Sequence, residues 1–321
     1  MKSGKTPNVL ISVLNWNNAT DTIKCVKSLK QLDYPSCTIV VTDNCSIDNS
    51  KEQLKKELPS TELIFSNENY GYAGGNQLAW EWGKEKEFEL FWIVNNDAEV
   101  KPDCLTKLVE AYLQFDNAIY GGISLEPDNE TISFAGGFEF DESGTIDFKR
   151  INSYTGKRIS EVKEKLILKE VGYVNGANML IPSAIIKKYG YIDTGFFMYG
   201  EELDYCFKLR KEHNIPSYIV PGAIVVHNAS ASFKKSDKLK YIGIYYSTRN
   251  WFYFELKYRG KTKLNLLNSQ YSIIGFLKAV SRLIFWGEAD FLANENDAKS
   301  LAFLHVLAEK KGKTFEPNNY L

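Results

Sequence analysis

The stretch Glu89-Leu90-Phe91-Trp92-Ile93-Val94-Asn95-Asn96-Asp97-Ala98-Glu99-Val100 limits what this chain can fold into more than any other. Leu90 to Val94 is a continuous apolar run, aromatic and β-branched, with the length of a strand buried on both faces. It breaks off into two amides and a carboxylate. A strand covered on both sides belongs to an open α/β sheet, where ligands bind at the carboxyl ends of the strands. Asn95 and Asp97 fall on one side if the extended backbone continues, and there they could share one bound object. A divalent cation carrying a phosphate suits them. Mg²⁺ or Mn²⁺ prefers oxygen ligands and takes one or two from protein while water and substrate phosphates complete the shell. An Asn/Asp-rich turn reads the same way, so the rest of the chain has to decide.

The preceding residues repeat the pattern. Val9 to Leu14 reads as a buried first strand stopping at the polar cluster Asn15-Trp16-Asn17-Asn18, and a helix follows from about Thr20 to Leu29, with Ile23, Val26 and Leu29 at helical spacing. Thr38 to Val41 is the second strand, ending in Asp43-Asn44-Cys45-Ser46-Ile47-Asp48, and a helix with Leu54 and Leu58 comes next. Leu63 to Phe65 is the third. Asn67 to Asn76 reads as a glycine-rich loop whose glycines let backbone approach a ligand, entering a helix with Trp80 and Trp82. Lys101-Pro102-Asp103 starts another helix, to about Phe115. Strands alternating with helices, each strand ending in Asn or Asp, describe a parallel nucleotide-binding half with a cleft along its carboxyl edge.

Composition removes several alternatives. An apolar content of 44% supports a packed core, and 39 basic against 40 acidic residues leave a net charge of -1, which provides no global field for nucleic acid. The five cysteines, Cys25, Cys37, Cys45, Cys104 and Cys206, form no CxxC pair, which argues against a disulfide framework or a zinc site and points to a reducing cytosol. No segment has the ~18 apolar residues of a membrane span, and the first apolar stretch reads as a short interrupted strand, which argues against a secretory signal.

Between Ile119 and Ile181 short β-like pieces separated by turns suggest a smaller mixed or antiparallel region, with Asp141 to Gly144 a turn and the charged interval Lys149 to Lys169 a solvated excursion. Then Phe196-Phe197-Met198-Tyr199-Gly200-Glu201-Glu202-Leu203-Asp204 leads into a helix to about His213, with Leu203, Cys206 and Phe207 as its core stripe. Its three acids sit in the first turn, where the helix dipole favours the ionised, proton-accepting form. Ala223 to Val226 runs apolar into His227, whose neutral imidazole could join the same cation. Beyond it come Lys234, Lys235, Lys238 and Lys240, a helix including Tyr241 to Tyr258, and a stripe of Ile273, Phe276, Leu277, Val280, Leu283 and Ile284, which suits either a packed core helix or an anionic membrane surface.

Taken together, Val13-Leu14-Asn15-Trp16-Asn17, Val40-Val41-Thr42-Asp43-Asn44, Asn69 to Asn76, Val94-Asn95-Asn96-Asp97, Gly176-Ala177-Asn178-Met179-Leu180-Ile181, Phe197 to Asp204 and His227 resemble, in order and spacing, the inverting glycosyltransferases of family 2, and within them the bacterial rhamnosyltransferase type. The resemblance covers about residues 8 to 230. It implies a GT-A fold: a mostly parallel nucleotide-binding sheet flanked by helices over about 8–100, a mixed acceptor and catalytic half over 101–230, and a helical region over 231–321. It implies that Asp43 accepts a hydrogen bond from a pyrimidine base near Asn15, that Asn76 lies on the donor side, and that Asn95-Asn96-Asp97 stands where the family has Asp-x-Asp. Asp97 would then bind Mg²⁺ or Mn²⁺ on the diphosphate, with His227 as a further ligand, while the neutral Asn95 fits ribose or a metal-bound water. Glu202 falls at the catalytic base, with Glu201 beside it. The implied donor is a dTDP- or UDP-sugar, the acceptor a saccharide or lipid-linked saccharide, and the place the cytoplasm or the inner face of a membrane. Two other readings of the same residues are a sugar-nucleotide nucleotidyltransferase and a non-catalytic sugar-binding module. The first usually carries a basic, glycine-rich loop after its first strand, where this chain has Asn15 to Asn18.

Overall fold

In the computed structural model, which describes residues 6–140, 146–148, 152, 154–228, 236–263, 280–281 and 292–320, the elements begin with β1 (Val9–Asn15), α1 (Ala19–Leu29), β2 (Cys37–Asp43), α2 (Ser50–Glu57), β3 (Glu62–Phe65), α3 (Gly71–Gly83), β4 (Leu90–Asn95) and β5 (Ala98–Val100). They continue with α4 (Cys104–Phe115), β6 (Ile119–Leu125), β7 (Ile132–Phe134), β8 (Glu139–Phe140), β9 (Ile146–Asp147), α5 (Ile159–Val162), β10 (Lys169–Val171) and β11 (Asn178–Pro182). Last are α6 (Ser183–Tyr189), α7 (Glu201–His213), β12 (Ser217–His227), α8 (Asp237–Tyr258) and α9 (Glu295–Leu307). They form two compact units: Met1–Asn69 with Gly74–Ile192 and Tyr205–Ala229, and Tyr70–Ala73 with Asp193–Asp204 and Ser230–Leu321.

The first unit is built on one ten-stranded sheet in which eight strands run in the order β10-β12-β6-β11-β4-β1-β2-β3, with β5 paired to β12 and β7 to β6. β1 is parallel to both β2 and β4, and β2 is parallel to β3. The chain runs outward from β1 to β3 and returns to β1's other side with β4, so the strand order reverses at β1, the place where open α/β sheets bind ligands. Register makes this concrete: Asn15 pairs with Asp43, and Leu14 with Asn95. Polar ends from three adjacent strands therefore share one edge.

Residues after 119 form the mixed β region expected of them, and they build it onto the main sheet. β11 runs antiparallel between β4 and β6, and β12 runs parallel to β6, so these strands extend the main sheet. Trp92, fully buried in β4, donates through Nε1 to Asn178 Oδ1 of β11 at 2.9 Å, and this buried polar contact ties the added strands to the first half. Among the described residues β8 and β9 pair apart from that sheet. Part of the charged interval is ordered, with Val162 of α5 buried beside Ile123 and Leu125. The turn at 141–144 and all of the apolar stripe over 273–284 except Val280 lie outside the described residues.

One correction concerns the glycines. Gly71 to Asn76 is the opening of α3 and not a loop, and a Cβ at Gly75 would sit 2.4 Å from Leu14 Cδ1. That glycine lets the helix pack against β1.

The second unit is helical, with α8 and α9 packed through Phe252, Phe303 and Val306. Ser236 caps α8 by accepting from Leu239 N, and Asn294 caps α9 by accepting from Asp297 N. Buried Tyr246 accepts through its hydroxyl from Thr314 N and Phe315 N, which fastens the residues after α9 to α8. Among the described residues no helix is long and apolar enough to cross a membrane.

Candidate active site

The end of β1 is a hydrogen-bonded hub. Asn15, with no exposed surface, donates from Nδ2 to Asp43 Oδ2 at 2.7 Å and accepts at Oδ1 from Thr22 Oγ1 of α1 at 2.7 Å. Thr22 Oγ1 in turn accepts from Asn96 Nδ2 at 2.9 Å. Asp43 Oδ1 takes Ser46 N at 3.1 Å, and Asn17 holds the same loop by accepting from Ile47 N at 2.8 Å. A carboxylate has about four lone-pair sites, so Asp43 retains acceptor capacity beyond these two bonds. Asn76 is buried and turned to the sheet, accepting from Ser12 Oγ at 2.7 Å.

Past β4 the backbone turns instead of continuing extended, yet Asn95 and Asp97 still face one partner. His227 Nε2 lies 3.0 Å from Asp97 Oδ1 and 3.2 Å from Asn95 Nδ2. The antiparallel pairing of β12 with β5 brings it there, setting His227 against Ala98. The two side chains are only 9% and 11% exposed. An Nε2 lone pair would satisfy the Asn95 amide but oppose the carboxylate, whereas an Nε2–H would satisfy the carboxylate but oppose the amide. Turning the Asn95 amide over keeps its heavy atoms in place and presents an oxygen. The three facing atoms are then two oxygens and an imidazole nitrogen, a donor set that fits a divalent cation. Among the described residues no group of three His, Cys, Asp or Glu converges, and a cation held by Asp97 and His227 would draw the rest of its shell from water or a bound ligand. Asp97 also lines a cavity of about 490 Å³ with Asp21, Lys24, Glu99 and Lys101. Cys25 donates to Asn95 O, and burial first, then Asp97 and Glu99, push its thiol far up, so it stays a neutral packing group.

The structure thus brings Asn15, Asp43, Asn95, Asn96, Asp97 and His227 together in the first unit, while Glu201 and Glu202 belong to the second. At the start of α7 Glu201 is buried, and one oxygen of each glutamate, Oε2, is buried without a hydrogen-bond partner among the described residues. Burial is the main cause that raises both carboxyls above the ordinary glutamate value, and Glu202's charge raises Glu201 further. The expectation that the helix dipole favours their ionised forms is therefore corrected, since desolvation outweighs the backbone N–H bonds that act the other way. The third acid, Asp204, is paired: Lys257 Nζ of α8 reaches its two oxygens at 2.8 and 3.1 Å.

Sequence reasoning missed Thr22, and it quoted Asn17 and Ser46 without giving them a role. Thr22 had a signal: it occupies the buried face of α1 with Ala19, Cys25, Val26 and Leu29, a polar residue in an apolar stripe.

Residues 9–172 match the family model for glycosyl transferase family 2, slightly more than half the chain, and the protein belongs to that family. It is 27% identical over 220 residues to the low-salt glycan biosynthesis hexosyltransferase Agl10 of Haloferax volcanii, a match that takes in 68% of this chain and spans 66% of the relative's length. Two solved structures share the fold. The mannosyltransferase PcManGT from Pyrobaculum calidifontis, in complex with GDP-Man and Mn²⁺, aligns with a TM-score of 0.56 at 13% identity over 95% of this chain and 88% of that one. GalNAc-T7 with UDP, GalNAc and Mn²⁺ aligns with a TM-score of 0.52 at 15% identity over 70% of this chain and 44% of that one. The fold is GT-A.

Proposed function

We propose that this protein is an inverting, metal-dependent glycosyltransferase that moves a sugar from a pyrimidine nucleoside diphosphate, dTDP or UDP, onto a hydroxyl of a saccharide or lipid-linked saccharide. The observation that carries the proposal is the meeting of Asp97, His227 and Asn95 at the end of β4, on the sheet edge it shares with the Asn15–Asp43 pair. Mn²⁺ in the two related structures supports a divalent cation, Mg²⁺ or Mn²⁺, held here by Asp97 and His227. When bound, such an ion supplies the positive charge that steadies a departing diphosphate.

The chain's own residues do the rest. Asp43, fixed by Asn15 and Ser46, offers its remaining lone pairs to a base N–H. Asn95 and Asn96 offer amides on the donor side, Asn95 to ribose or to a metal-bound water. Glu202 takes the proton of the acceptor hydroxyl as that oxygen bonds the anomeric carbon and the bond to diphosphate breaks, which inverts the configuration. Two adjacent buried carboxyls do not both ionise readily, and burial raises both. Glu202 is the less buried of the two and the one assigned as base, with Glu201 beside it.

Rhamnose as the sugar follows from the family subtype alone, and the hexosyl and mannosyl transfer named for the relatives keeps hexoses equally in view. A glycan acceptor agrees with the glycan biosynthesis named for Agl10. Peripheral membrane contact would rest on the stripe over 273–284, and co-sedimentation with anionic vesicles, with and without residues 264–321, tests it.

The deciding assay incubates the purified protein with a panel of nucleotide-sugars and Mg²⁺ or Mn²⁺ and follows release of nucleoside diphosphate, with the product's anomeric configuration read by NMR. Release with inversion supports the proposal. Pyrophosphate release would indicate a nucleotidyltransferase, and donor binding without turnover a sugar-binding module.

A further inference from the structure

The segment that leads into Glu201 carries backbone strain and is held from outside as well as by its own turn. Phe197 and Tyr199 both adopt left-handed backbone angles, φ 65° and 64°, which cost an aromatic L-residue of order 1–3 kcal/mol each. The carbonyls of Phe196, Phe197, Met198 and Tyr199 are all taken by donors from outside the segment. Asn250 Nδ2 of α8 lies 3.0, 2.8 and 2.7 Å from the oxygens of Phe196, Met198 and Tyr199. Tyr72 N donates to Phe197 O at 2.6 Å, across a backbone approach so close that a Cβ on Gly71 would stand 2.1 Å from that oxygen.

Arg249 decides which way the amide points. Its Nε donates to Asn250 Oδ1 at 3.0 Å, so the Asn250 nitrogen is turned toward the carbonyls. Its Nη2 adds a second donor to Phe196 O at 2.9 Å, and Nη1 anchors on Gly312 O at 2.8 Å. The guanidinium has no exposed surface and lies over the Tyr246 ring with 4.8 Å to the centroid. Seven residues along the same helix, two turns on and hence on the same face, Lys257 grips both Asp204 oxygens, and Tyr258 donates to Asp204 O at 3.2 Å. One helix therefore holds the chain immediately before and immediately after the glutamate pair.

We infer that α8 is the positioning element of the proposed base, with Arg249 and Asn250 setting the entry to α7 and Lys257 setting its first turn. The inference rests on the reading of Glu202 as the base. Among the described residues neither Oε2 has a hydrogen-bond partner, so the backbone that carries each glutamate is what aims it. A displacement of about 1 Å at such a group costs on the order of 10²-fold in turnover.

The test uses the full chain and the donor selected by the nucleotide-release assay. Asn250→Ala and Lys257→Met are compared with wild type for kcat, donor KM, UDP affinity in Mn²⁺ by calorimetry, and Tm. We expect kcat to fall about 10- to 100-fold while UDP affinity stays within about 2-fold, because the nucleotide-side residues belong to the other unit. Lys257→Arg, which keeps the cation, should recover most of the loss. Should Asn250→Ala fail to fold, the Lys257 pair carries the test. Wild-type kcat in the soluble variants overturns the inference, as does an equal loss of kcat and UDP affinity with falling Tm, which marks a purely structural role. Glu202→Gln is run alongside. If it turns over normally, the reading of the base fails and this inference with it; if it is dead while Asn250→Ala and Lys257→Met are fully active, only the positioning role fails.

Discussion

Replacing Thr22 by Val probes the hub at the end of β1 with little change in volume. The methyl that takes the hydroxyl's place can neither donate to Asn15 Oδ1 nor accept from Asn96 Nδ2, bonds of 2.7 and 2.9 Å in the native protein. Asn96 is partly exposed and recovers a water, whereas Asn15 has no exposed surface, so its carbonyl is left unsatisfied in the interior. An orphaned buried acceptor costs about 1–3 kcal/mol. At about 2–4 °C per kcal/mol, the scale for units of about 150–250 residues, Tm should fall by about 2–12 °C in differential scanning calorimetry. Asn15 also orients Asp43, so if about 1 kcal/mol of that loss is expressed at the nucleotide, UDP affinity drops about 5-fold by titration calorimetry. Thr22→Ser keeps the hydroxyl and should keep the affinity. An unchanged Tm in Thr22→Val, or equal affinity losses for Val and Ser, would refute the hub as the support of Asp43.

Glu202→Gln should lower kcat by about 10²–10⁴-fold with UDP affinity unchanged, and near-native turnover would remove Glu202 from the base role. A base works ionised, and burial raises Glu202 above the ordinary 4.5, so turnover should be lost on acidification at a pH above that value; an acid limb at or below it would contradict the burial argument. Glu201 has its folded-state value raised, so its contribution to stability is full below the unfolded value and is lost as pH rises through the folded one. The Tm of Glu201→Gln should therefore gain on wild type as pH increases, and a difference that does not vary with pH would argue against this. Asp97→Ala should abolish the part of UDP affinity that Mn²⁺ adds, chelator should stop turnover until Mn²⁺ or Mg²⁺ is restored, and a metal-dependent affinity equal to wild type would count against Asp97 as a ligand.

The nucleotide half was legible because its signals are local. Leu90 to Val94 is a doubly covered strand, as its apolar run implied, and the polar residues at the ends of β1, β2 and β4 share an edge because parallel strands with matched register end together. Other features depend on residues distant in sequence. The strands after 119 join the main sheet because β11 finds β4 through Trp92 and Asn178, separated by 86 positions, and no period of two or of 3.6 encodes that choice. The glycine-rich stretch read as a loop because nothing local shows that Gly75 packs against Leu14 of β1 and lets a helix begin there.

By itself the sequence determined which segments alternate, which strand ends are polar, and where the acids and His227 fall along the chain, since these depend on side-chain pattern and short-range geometry. Tertiary structure alone decided that His227 meets Asp97, that Thr22 joins Asn15 to Asn96, that α8 grips the segment around Glu201 and Glu202, and that those two carboxyls are raised and not lowered. The helix dipole is a property of the local fold and could be read in advance. Desolvation is a property of whatever else packs there, and it is the larger of the two.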